Sequence, residues 1–172
     1  PDKYATGCLV CDVATSSTSW SPASGATIKH LSFESGSLAG WTVSPARGSA
    51  KVGWHASKLR SHAGGWSLYY GSELMKDYDT PGKANSGSAQ VKLSLLKGQK
   101  HALLFRVRMD LGDAASPKYD MLQLQVNGAV AWTKADAPEQ KVWHQVTLDL
   151  GALTGTDVVL RFEFDTGDSV AN

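Results

Sequence analysis

Glutamate is nearly absent from this chain: four Glu stand against twelve Asp, beside 17 Gly. Glu favours helices, whereas Asp and Gly favour turns, so the imbalance argues against a helical protein and for a loop-rich β protein. No run of about 18 apolar residues exists, which excludes a membrane-spanning helix. Charge of one sign is lacking too. With 17 basic and 16 acidic side chains the formal net charge is +1, and nothing marks a nucleic-acid surface or a polybasic membrane surface. No Gly-rich loop joins a strand to a helix, so nucleotide phosphates are not indicated. The chain opens Pro1-Asp2 with no charged-then-apolar leader and reads as a mature fragment or an excised piece.

Cysteine occurs twice, as Cys8 and Cys11. A redox Cys-x-x-Cys needs a helix start, and Asp12-Val13-Ala14-Thr15-Ser16-Ser17 is a poor one. Zinc needs two more ligands, and no second pair exists. A local disulfide in a secreted or cell-surface protein is the better reading. Residues 1–27 form a Cys-x-x-Cys segment followed by a Ser/Thr-rich linker, too poor in large apolar groups to fold alone.

What the chain does have is alternation. Val158, Leu160, Phe162 and Phe164 fall on one side of a run whose other side is Val159, Arg161, Glu163 and Asp165. That period of two is a pleated strand with one buried face. Ala89–Leu95, Leu103–Met109, Leu122–Val126 and Val142–Leu150 repeat it. Asn127-Gly128 marks a tight hairpin, since both residues accept positive φ. Earlier strands are expected at Ile28–Glu34, Gly40–Val43, Lys51–His55 and Trp66–Tyr70, with a long loop over residues 71–88. The fold expected for residues 28–172 is an all-β, two-sheet antiparallel β-sandwich of the jelly-roll type.

Phe33-Glu34, Gly40-Trp41, Trp66 to Gly71, Tyr78-Asp79, Tyr119-Asp120, Trp143 before Val146–Leu150, and Leu160 to Thr166 occur in an order that resembles the MAM-like, choice-of-anchor type jelly rolls of bacterial secreted and surface proteins. The resemblance implies a non-catalytic adhesion or recognition domain, with carbohydrate or protein as partner. The alternative is an accessory domain assembled into a larger secreted enzyme. Similar domains continue past Phe164-Asp165-Thr166 into a further strand, whereas this chain ends at Asn172. The domain is therefore expected to be incomplete and to take a strand from another segment or chain. Related jelly rolls often hold calcium, and Glu34, Asp165 and Asp168 are the candidate ligands, a structural role. The other reading makes them turn carboxylates bonding local backbone N–H groups.

Six Trp are present. Trp66, Leu68 and Tyr70 share one strand side and read as core. Tyr69 points the other way, and Tyr69 and Trp54 are the candidate ligand-binding aromatics. Catalysis has little support. Glu163 and Asp165 lie on one strand face, about 7 Å apart by strand geometry, a spacing compatible with glycoside hydrolysis. Arg161 shares that face and is expected to pair with Glu163. The five His show no metal-ligand spacing, and no Gly-x-Ser-x-Gly elbow exists.

Overall fold

The computed structural model describes residues 31–44, 47, 51–80 and 82–170. Among the described residues there are nine strands: β1 (Trp41–Val43), β2 (Gly53–Ser57), β3 (Ser67–Gly71), β4 (Ser86–Ser94), β5 (Ala102–Arg108), β6 (Met121–Val126), β7 (Ala129–Thr133), β8 (Trp143–Asp149) and β9 (Asp157–Asp165). Every ladder is antiparallel. One layer is a five-stranded sheet in the order β1-β4-β9-β6-β7. The other consists of two separate hydrogen-bonded pairs, β2-β3 and β5-β8. The protein is an all-β antiparallel sandwich.

The alternation explains the layers. On β9, Val158, Leu160, Phe162 and Phe164 are all buried, and their partners in register are Leu93, Val91, Ala89 and Gly87 of β4. Leu122, Leu124 and Val126 of β6 add to the same inner face. Both pairs of the second layer pack on that face, and Phe162 shows it. Its ring lies 5.4 Å from Phe105 of β5 and 6.3 Å from Trp54 of β2. Phe105 meets Trp132 of β7 edge-on at 5.5 Å. Burying such rings contributes on the order of 2–3 kcal/mol each.

The Asn127-Gly128 turn behaves as expected, with φ of 51° and 83°. The Asn127 side chain also accepts a hydrogen bond from Val159 N–H at 2.8 Å, tying the turn to β9. One expected strand is corrected. Residues 28–30 lie outside the described set, and residues 31–34 form no strand. Gly36 N–H instead donates to Phe33 C=O at 2.8 Å in a turn that needs φ of 70° at Gly36. Phe33 still belongs to the core, 5.6 Å from Trp41. Apolar alternation over so short a run reported burial and not extension.

The long loop after β3 is fastened by buried polar groups. Tyr70 donates to Asn85 (2.7 Å), Asn85 donates to Tyr78 C=O (2.8 Å), and Tyr78 donates to Asp120 (2.7 Å). Asp120 also accepts from Asp113 N–H at 2.8 Å. Burial pushes the Tyr70 phenol up, and it pushes the Tyr78 phenol up with the Asp120 carboxylate adding to the effect. The buried Lys134 ammonium donates to the carbonyls of Asp113 (2.8 Å) and Tyr119 (2.5 Å). A fixed cation thus gathers the 113–120 loop from inside.

Candidate functional site

A cavity of about 600 Å³ opens between β3 and the far end of β5. Its floor is apolar: Trp54, Leu68, Leu122 and Phe164. Its rim is polar, with Arg60, Asp77, Arg108 and Lys141. The volume and apolar floor are those of a ligand site, and the rim adds charged and polar groups.

Two aromatic rings stand on the outer face on either side. In the β2-β3 ladder, Tyr69 is paired with His55 while Trp54 is paired with Tyr70. Tyr70 packs inward on Phe164 at 4.6 Å, so Tyr69 points outward. Across the cavity Trp143 of β8 is paired with Arg108, and neighbouring Val107 is buried. Trp143 therefore points outward too, steadied edge-on by His62 at 5.7 Å. Tyr69 and Trp143 are both half-buried and both line the cavity.

Gly71 makes the Tyr69 pose possible. A Cβ built there would sit 2.6 Å from the Tyr69 hydroxyl oxygen, and Gly71 has φ of 150°. Burial raises the Tyr69 phenol above its ordinary value, and Asp77 adds to the effect. The ring stays neutral at physiological pH and can both donate and accept. Burial, and then the Arg106 charge beside it, hold the His62 imidazole below its usual range. Rim polar groups are partly engaged: Lys141 Nζ lies 3.4 Å from Asp110, and Arg108 Nε donates to Lys141 C=O at 3.1 Å.

Of the two aromatics proposed from sequence, the structure brings Tyr69 to the rim and Trp54 to the floor. Trp54 is only 8% exposed, its indole N–H donates to Gly87 C=O at 2.9 Å, and its ring meets Tyr70 at 5.3 Å. Hairpin register turns it inward, so it meets the cavity from the floor and not from the outer face. Trp143 was missed as a ligand candidate. Its signal was visible, because it shares a strand side with Gln145, Thr147 and Asp149.

The proposed calcium ligands do not converge. Glu34 accepts from Gly65 and Trp66 N–H at 2.9 and 3.2 Å. Asp165 accepts from Gly167 N–H (2.9 Å) and lies 3.3 Å from Arg47. Asp168 accepts from Val170 N–H at 3.1 Å. Among the described residues, no group of three His, Cys, Asp or Glu is placed to hold a metal, so this set does not fit calcium. Cys8 and Cys11 lie outside the described residues. Glu163 is held by Gln123 (3.1 Å), Gln125 (2.8 Å) and Arg161 (3.1 Å), the ion pair expected from sequence.

No family model matches the chain, and no curated protein matches it. A solved structure similar to it is a carbohydrate-binding module of the β-sandwich superfamily, from work on the promiscuous specificity of such modules. Identity is 15% and the TM-score 0.50, over 78% of this chain and 53% of that one. The chain thus spans about half the length of that solved chain. At this identity the likeness is one of fold.

Proposed function

We propose that this domain is a non-catalytic recognition module that binds carbohydrate on the outer face between Tyr69 and Trp143. One observation carries the reading. Two outward aromatic rings stand on separate strands at opposite rims of one cavity. Sugar C–H faces stack on such rings, and Arg60, Asp77 and Arg108 supply the hydrogen bonds that orient hydroxyls. The fold shared with a carbohydrate-binding module agrees with this use. A secreted or cell-surface setting fits the same reading, and a Cys8–Cys11 disulfide would support it; a thiol count on unreduced protein tests that setting.

The binding test is affinity electrophoresis against a panel of soluble polysaccharides, followed by calorimetry on any that retard the protein. Trp143→Ala and Tyr69→Ala are each expected to weaken binding about tenfold, the equivalent of one lost stacking contact of about 1.4 kcal/mol. Unchanged affinity in Trp143→Ala, with a correctly folded protein, overturns the assignment of this face.

A further inference from the structure

The cavity has a second property, visible in which residues wall it. Ser67, Leu68, Tyr69 and Tyr70 of β3 all line it in succession, and the opposite side is Val107 and Arg108 of β5 with residues 109–112 of the loop beyond that strand. Side chains on a strand alternate between faces, so a cavity above one face meets every second residue. A cavity that meets every residue faces the strand edge. On the β3 side this one therefore lies in the plane of the second layer, against the strand edge. Among the described residues β3 pairs only with β2, so the β3 edge bounding the cavity carries no ladder.

Near the end of β3, Tyr70 stacks on Phe164, which meets Tyr78 at 5.0 Å, and the Tyr78 hydroxyl accepts from Gly112 N–H at 2.8 Å, so the loop after β5 closes that end of the cavity. A strand added antiparallel along β3 would match the pairing of every described ladder.

We infer that this cavity is a docking slot for an extended segment of a partner polypeptide, which adds as a strand along the open edge of β3. The length of β3 suits four to six residues, about 13–20 Å at strand rise. The floor of Leu68, Leu122 and Phe164 requires apolar side chains at alternate positions of the guest. The outer rim decides the rest. Arg60, Lys76, Arg108 and Lys141 face only Asp77 and Asp110 there, so the guest carries acidic residues on its outward side. Main-chain ladders would supply affinity and the floor would supply specificity. The inference stands on backbone geometry and does not depend on the carbohydrate reading.

The test uses the full chain and a nine-residue synthetic peptide alternating valine and aspartate, with a central tryptophan in place of one valine. Two controls share its composition: a scrambled sequence, and the same sequence N-methylated at alternate amides. The expected result is saturable binding of the parent peptide, weakened at least about tenfold in both controls. Amides of β3 turned toward the cavity should become slow to exchange when it binds. The variant Arg108→Glu should weaken the parent peptide and leave a lysine-for-aspartate peptide no worse bound. Absence of binding at about 1 mM peptide, or equal binding of the N-methylated control, overturns the inference. So does full protection of the β3 edge before peptide is added, which would mean that this chain's own segment fills the slot. Polysaccharide binding is scored separately, so either reading can fail alone.

Discussion

Single side chains decide where the rings face. Trp54 and Tyr69 are both aromatic, both on the same hairpin, and differ only in parity. Parity turns Trp54 onto Gly87 and Phe162 and leaves Tyr69 at the rim. Phe162 is the residue shared by both pairs of the second layer, so Phe162→Ala should cost about 3–5 kcal/mol in denaturant-measured stability. A loss under about 1 kcal/mol would mean the two pairs do not share one core. Lys134 makes a different prediction. Lys134→Met keeps the stem but leaves the Asp113 and Tyr119 carbonyls without their donor, and should cost about 1–3 kcal/mol. Unchanged stability would show that the ammonium does not hold this loop.

At the scale of elements, the β6-β7 hairpin was the most legible part of the chain. Asn127-Gly128 requires positive φ at both positions, and nothing lies within 4 Å of a Cβ built at Gly128. Gly128→Ala therefore tests conformation alone and should cost about 1–2 kcal/mol. The contact between β2 and the loop after β3 adds a pH effect. The Ser57 hydroxyl, at 2.7 Å, and then the His55 ring hold the Glu73 carboxyl below its ordinary value of 4.5. A depressed carboxyl stabilises the fold above its unfolded value, and that stability is lost as pH falls through the lower folded value. Glu73→Gln should thus flatten the acid side of the stability curve below about pH 4.5. The effect should stay under about 1 kcal/mol, because the Glu73 side chain is 54% exposed. An acid limb identical to that of the unsubstituted protein would remove the role.

For the whole molecule, the two-layer plan could be read from residues such as Val158 to Asp165, because burial of one strand face writes a period of two directly into the chain. Hairpin register could not be read, since pairing Trp54 with Tyr70 depends on the long turn over residues 58–66 and not on either strand's own pattern. The same limit hid the calcium outcome. Glu34, Asp165 and Asp168 satisfied a ligand inventory, but each carboxylate bonds backbone N–H groups, a job no residue count distinguishes from coordination. Which strand edges lack a ladder among the described residues could not be read either, because pairing is a matter of three-dimensional order.

The split second layer is the feature on which site and slot both rest. Amide hydrogen exchange on the unliganded protein, read residue by residue, tests it most directly. The account predicts that every second amide of Ser67–Gly71, and those of β5 turned away from β8, exchange rapidly, while the amides bonded to β2 and β8 exchange slowly. Uniform protection along both strands would contradict it.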